Sequence, residues 1–186
     1  MSTLTPNPVT ASTTSFVIDT DHSEVGFSVR HMLSRTRGRF ARFSGEIRLD
    51  RENPARSSVT FEVDPASIDT RQSDRDAHLR SGDFFDAEKF PALKFVSKKV
   101  EPGADGALAV QGTLEIRGVT KPVTLHVEPL SAAGKDPWGG LRRGTRATTK
   151  LNRKDFGLNW NSALELGGVL VGEEVEITLE IELIQK

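Results

Sequence analysis

A chain of 186 residues is long enough to bury one hydrophobic core and short for two domains. Its 25 Lys and Arg nearly balance 26 Asp and Glu, and a formal charge of −1 gives no overall field of the kind that gathers nucleic acid or an anionic membrane. With no cysteine, disulfides and thiol chemistry are excluded, while the compartment stays open.

Residues 1–15, MSTLTPNPVTASTTS, have no basic leader region, no apolar run and no membrane-spanning length. They read as a disordered tail without signal peptide or anchor, which points to a cytoplasmic protein whose single domain occupies residues 16–186. From Phe16 onward the pattern is alternation, placing every second side chain on one face of a sheet. Val25, Phe27 and Val29 share a face with His31, and Gly26, Ser28 and Arg30 face away. Residues 38–49 are predicted as one long strand with Gly45 at a bulge. Asn53-Pro54 is a turn, and Val59, Phe61 and Val63 form a strand that Pro65 stops.

The stretch 67–94 does not read as strand and turn. Ser73 stands three residues ahead of Asp76, a capping-box spacing that predicts a helix start, with Ser81-Gly82 as its stop. Asp83-Phe84-Phe85 is predicted to open a second short helical turn that Pro91 ends. Strands resume at 93–100 and 108–117 as a hairpin about the turn 103–106, followed by a turn at 118–122. Val123, Leu125 and Val127 alternate next, 132–144 reads as a loop around Trp138, and 145–152 is a strand. In the last strand Val175, Ile177, Leu179, Ile181 and Leu183 alternate with Glu176, Thr178, Glu180 and Glu182.

Eight or nine strands at this spacing define a mostly β, antiparallel sandwich or barrel. Single glycines inside strands (Gly26, Gly38, Gly45, Gly112) favour the barrel, because closure needs sharp local bends. An eight-stranded barrel is filled by side chains or holds one small ligand.

Three groups of polar residues invite chemistry. His31 ends the Phe27/Val29 row where a ligand's polar end would lie, and His22, in the turn at 21–23, is a candidate to join it. Two histidines without an HExxH helix or cysteines do not make a metal site, and none is expected. His126 falls on the outward face of its strand. Asp76 and His78 are two apart on a helix and do not face each other, so Arg75, Asp76 and His78 are expected to be structural. Asp76 would serve the helix start, Arg75 would reach a carbonyl or carboxylate, and Leu79, Phe84 and Phe85 would pin the insertion to the barrel, with a rim or lid role for the insertion as the alternative. Arg142 and Arg143 beside Trp138 are candidates for a pyrophosphate head group, and Arg153, Lys154 and Asp155 read as a salt-linked turn.

Several segments resemble one family: IDTDHSEVGFSVRHM (18–32), GRFARFSGEI (38–47), SIDTRQSDRDAHLRSGDFFDAEKFPALKF (67–95), GTLEIRGVTKPV (112–123), NRKDFGLNW (152–160) and GGVLVGEEVEITLEIEL (167–183). Together they are similar to the YceI-like, polyisoprenoid-binding proteins. The resemblance implies an eight-stranded antiparallel lipocalin-like barrel with a short helical insertion, an apolar tunnel for a polyisoprenoid or isoprenoid-quinone-like lipid, and a homodimer. It makes the inward rows tunnel lining: Val25, Phe27, Val29 and His31; Phe40, Val59 and Phe61; Leu79, Phe84 and Phe95; Leu114, Ile116 and Leu125. His22, Arg75 and His78 become possible head-group contacts. No cofactor, metal, catalytic residue, nucleic-acid partner or membrane anchor is expected, and the function is lipid binding, storage or transport. The alternative is a barrel enzyme that acts on an apolar substrate with histidines at the tunnel end. Unlike the exported members, this chain shows no signal peptide.

Overall fold

The structure, a computed structural model, describes residues 13–186. Of the tail expected at 1–15, residues 1–12 lie outside the described part, and residues 13–15 already belong to the first strand.

The strands are β1 (Thr13–Ile18), β2 (Glu24–His31), β3 (Ser34–Phe40), β4 (Phe43–Asp50), β5 (Ser58–Val63) and β6 (Ile68–Asp69). Helix α1 (Ser73–Arg80) follows, then β7 (Leu93–Pro102), β8 (Leu108–Ile116), β9 (Val119–Val127), β10 (Gly134–Lys135), β11 (Leu141–Asn152) and β12 (Val171–Gln185). Eight of them close a ring in the order β11, β9, β8, β7, β5, β4, β1, β12 and back to β11, with every pairing antiparallel. The barrel expected from the alternation is therefore present. Among the described residues no helix is long and apolar enough to cross a membrane.

The ring is not a uniform cylinder. On one side β12 lies against β11 along nearly its whole length; on the other it changes neighbour. Leu183, Ile184 and Gln185 pair with β1, whereas the span from Val171 to Glu180 pairs with β2. The β2–β3 hairpin and the two-residue β6 paired to β3 thus fan away from the ring, leaving one end tight and the other flared. Apolar residues follow that division. Phe16, Ile18, Leu49 and Leu183 form a compact cluster at the tight end, and a larger cluster runs up the barrel to Phe84, Phe156 and Leu158.

Several local expectations give way. Residues 38–49 are two strands broken at Ala41-Arg42, because Ala41 N–H donates to Ser67 O and Arg42 N–H to Ser67 Oγ, which ties this corner to the segment before β6. Gly45 is not at a bulge, since the β4–β5 register is continuous through it. A Cβ there would stand 2.7 Å from Ile18 Cδ1 and 2.8 Å from Thr60 O, so the glycine serves close approach. The turn placed at 118–122 is tighter: β9 starts at Val119, and Pro122 sits in the strand opposite Thr113. Proline is tolerated there because β9 meets β11 only at His126 and Val127, so Pro122 has no ladder to serve on that side. The loop at 132–144 contains the small strand β10 folded onto β11. The second helix at 83–85 is absent; those residues are turns in which Asp83 N–H donates to Ser81 Oγ, Phe84 N–H to Ser81 O and Phe85 N–H to Leu79 O.

A Cβ at Gly112 would collide with the Val96 carbonyl and the Phe95 ring, whereas one at Gly82 meets nothing within 4 Å. Gly112→Ala is expected to cost about 1–3 kcal/mol in urea unfolding, against about 0.5 kcal/mol or less for Gly82→Ala. Equal midpoints for the two variants would contradict the close β7–β8 packing.

Candidate functional site

The alternation that builds the barrel leaves an interior of two chambers. The one at the tight end holds about 190 Å³ and includes Val25, Val59, Phe61, Phe95, Leu114 and Leu125 in its wall. Apart from Ser57, Thr145 and Thr149 its lining is entirely apolar. The second chamber, about 560 Å³ at the flared end, takes Phe27, Val29 and His31 from β2 and Leu79 and Phe84 from the insertion. Phe40, Leu93, Ile116, Leu151 and Ile177 line both chambers and form the neck between them. Beyond the three hydroxyls of the first chamber, the polar groups lie around the second: His31, Thr36, Gln72, Asp74, Arg75, His78 and Arg153. The interior is thus apolar at depth and polar at its mouth.

Helix α1 brings its share of that mouth through a buried relay rather than the predicted capping box. Gln72 is the N-cap and accepts from Arg75 N–H, while Asp76 turns inward to accept from Thr70 N–H (2.9 Å) and Thr70 Oγ1 (2.5 Å). Ser73 is not the cap because the β-strand conformation ends at Gln72, one residue earlier, and Thr70 claims the carboxylate. Arg75 Nε donates to Thr70 Oγ1 at 2.7 Å and Nη2 to Thr70 O at 2.8 Å, the carbonyl contact expected for it. Arg80 reaches back to the carbonyls of Ala66 and Ile68. Asp76 and His78 do not pair. His78 Nε2 instead lies 2.8 Å from Asp83 Oδ2, with its ring edge-on to Phe84 and Trp160 at 5.1 and 4.7 Å between centroids. Phe85 meets the Phe40 ring at 5.8 Å, which anchors the insertion to the neck.

The opposite wall of the mouth is built around a residue whose role the local sequence conceals. Arg153, expected in a salt-linked turn, is 6 % exposed and donates to the carbonyls of Gly172 (2.8 Å), Leu158 (2.6 Å), Trp160 (2.8 Å) and Val171 (3.3 Å). Desolvation pulls its pKa down, and no carboxylate bridges to it among the described residues. Its guanidinium organises the segment that presents Phe156, Leu158 and Trp160 to the chamber. The NRKDFGLNW motif carried the signal, but an arginine beside a lysine and an aspartate reads as surface charge. Lys154 and Asp155 are exposed in that way, and Lys154 pairs with Glu173 at 2.6 Å.

His22 does not join His31, since the two stand at opposite ends of β2. His22 Nδ1 lies 2.9 Å from Asp19 Oδ2 in a cluster at the tight end. Arg142 is the centre of that cluster: it binds Asp19, Asp136 at 2.9 Å and Glu182 at 2.7 Å. Arg143 donates to Ser131 O, and Trp138 is 86 % exposed. The pyrophosphate role considered for this pair is therefore not what the geometry shows, because three carboxylates already occupy Arg142. Asp19, His22 and Glu182 lie close enough to share a cation, and the Arg142 guanidinium fills that role.

Arg142 holds the Asp19 carboxyl down at about 2, with the bonds from His22 and Asp21 N–H acting in the same direction and burial opposing them. A folded pKa below the unfolded value stabilises the fold at any pH above about 4, and the contribution is lost as pH falls toward 2. Asp19→Asn is expected to cost about 1–2 kcal/mol at pH 7 and to flatten the acid limb between pH 4 and 2. An acid limb unchanged in urea melts across that range would refute the ion pair.

A closed antiparallel barrel with a graded apolar interior and a polar mouth defines a lipocalin-like barrel protein. The chain belongs to the YceI-like family, whose domain model matches residues 16–183. A UPF0312 protein of Vibrio cholerae serotype O1 is 40 % identical over 182 residues, spanning 96 % of this chain and 92 % of that one. Burkholderia cenocepacia BcnA superposes with a TM-score of 0.78 at 24 % identity, over 89 % of this chain and 98 % of its own. A polyisoprenoid binding domain from Saccharophagus degradans gives a TM-score of 0.65 at 16 % identity, over 95 % and 100 % of the two chains. At those identities the two solved structures speak for the fold.

Proposed function

We propose that the protein binds a single-chain polyisoprenoid or a similarly long apolar lipid, threaded through the neck with its tail in the tight chamber, and stores or carries it. The observation that carries the reading is the gradient of the interior, whose lining is without charge at depth and carries charged side chains at the mouth. A tail gains about 0.8 kcal/mol gross for each methylene taken from water, less the cost of ordering it, and asks for no hydrogen-bond partner. A head group, by contrast, needs partners where the chamber opens. His31, Arg75 and His78 stand there, and Arg75 commits Nε and Nη2 to Thr70 but makes no hydrogen bond through Nη1 among the described residues. The polyisoprenoid binding domain with the same fold is in keeping with this ligand class.

Native mass spectrometry of protein purified without detergent, followed by solvent extraction, is expected to show a near-stoichiometric prenyl-containing adduct. Phe27→Asp, which puts a charge in the wall of the mouth chamber, is expected to lose it while the protein still melts cooperatively. An apo mass that persists after incubation with prenyl lipids would refute the proposal. The rival reading of a barrel enzyme draws on the His78–Asp83 pair at the mouth. A His78→Ala variant that retains the lipid but abolishes its conversion would select that reading instead.

A further inference from the structure

Among the described residues, most of the large apolar side chains that the fold leaves in water gather at the mouth. Met32 (47 % exposed) and Leu33 (97 %) form the tip of the β2–β3 hairpin, and Leu166 (103 %) and Val169 (53 %) stand on the small loop before β12. The two tips are fastened together, with Met32 N–H donating to Leu170 O at 2.9 Å and His31 paired with Val171. The neighbours of these exposed residues, His31, Leu170 and Val171, line the mouth chamber, so the apolar tips are continuous with the opening.

Neither folding nor turn chemistry asks for these residues. A two-residue hairpin turn is ordinarily Asn-Gly or Asp-Gly, whereas here it is Met-Leu with Met32 at φ 49°. The loop at 164–168 turns on two left-handed glycines, Gly167 and Gly168, which leaves Leu166 without packing.

A second observation comes from charge. The outer face of the same hairpin carries Arg30, Arg35 and Arg37, with Arg30 directly opposite Arg35 in the register. Like charges across a ladder are unfavourable, so the sheet gains nothing from that pair. Arg35 is bridged to Glu176, but Arg30 and Arg37 have no ion pair among the described residues. Glu165 on the neighbouring tip and Asp74 across the mouth are the opposing charges, while Glu173, Glu174 and Glu176 are engaged by Lys154, Lys150 and Arg35. A net charge of −1 conceals this local surplus.

We infer that the mouth docks on an anionic lipid bilayer, with Met32, Leu33, Leu166 and Val169 entering the interface and Arg30 and Arg37 meeting lipid phosphates. Exposed apolar tips flanked by arginine are suited to an interface that is apolar beneath and anionic above. The chamber then opens against the source of its ligand, and a tail passes from bilayer to barrel without crossing water. This rests on the lipid-binding reading for its purpose, and the experiment separates the two.

The full chain is tested by flotation with phosphatidylcholine vesicles with and without phosphatidylglycerol, alongside uptake of a farnesyl-tailed fluorophore in vesicle-free buffer. Wild type is expected to float with the anionic vesicles and to be released by salt. Leu33→Asp with Leu166→Asp is expected to weaken partitioning by about tenfold or more, and Arg30→Gln or Arg37→Gln by about fivefold each, with fluorophore uptake unchanged. Wild type that floats with neither vesicle, or a double variant that floats as well as wild type, overturns the inference. A double variant that converts a dimer to a monomer in sedimentation equilibrium, with flotation unchanged, overturns it too and assigns this face to a second copy of the chain. Flotation that depends on the tips in a protein that takes up no fluorophore supports the docking and removes the lipid-carrier reading.

Discussion

The structure depends on one strand having two neighbours on the same edge. β12 is paired to β11 along nearly its full length, yet its other edge is shared by β1 near the C-terminus and β2 before it. A strand with one neighbour throughout would give a barrel of even bore. Splitting the edge draws the wall tight where β1 and β4 complete the ring and lets it open where β2 and β3 lean away. Fifteen residues with period-two alternation allow this, because the same inward row continues past both partners without a change of face. Tight and flared ends, neck and mouth all descend from that division.

Opening a wall exposes backbone, and the structure answers with arginines directed at carbonyls. Arg80 takes those of Ala66 and Ile68, Arg75 that of Thr70, and Arg153 those of Gly172, Leu158, Trp160 and Val171. A guanidinium has five N–H groups in a fixed plane, so a single side chain can hold several strand ends that have run out of ladder partners. Burial makes this costly for Arg153, as the downward pull on its pKa shows, and several charge-assisted bonds offset that cost. At the tight end Arg142 does comparable work with carboxylates, tying the β1–β2 turn to β12 and to the β10–β11 hairpin.

What the sequence disclosed follows the same physics. Period-two rows such as Val25/Phe27/Val29 and Val175/Ile177/Leu179 declared both the strands and their inward faces, since burial on one side writes directly into the alternation. The residues placed in the tunnel by resemblance do line one chamber or the other, including Leu79 and Phe84 from the insertion. Polar residues were less legible because their roles are set by partners far along the chain. Arg142 finds Asp19 across 123 positions, and Arg153 works through carbonyls that carry no side-chain signature. The cap of α1 was misplaced by one residue, since Ser73 and Gln72 both suit the position and only Thr70 decides where Asp76 turns. The break at Ala41-Arg42 depends on Ser67, which lies 25 residues away from Arg42.

The brief meeting of β9 with β11 at His126 and Val127 gives the barrel a seam that is fastened at one end only. From Val119 to Leu125 the strand is held by β8 alone, and Asp155 and Phe156 stand beside the unpaired stretch in place of a ladder. Such a wall can swing outward about its fastened end while every hydrogen bond of the β8–β9 ladder survives, so that only side-chain contacts are exchanged. The bore beside Val123 and Leu125 is therefore compliant in one direction and rigid in the others, as in a split collar.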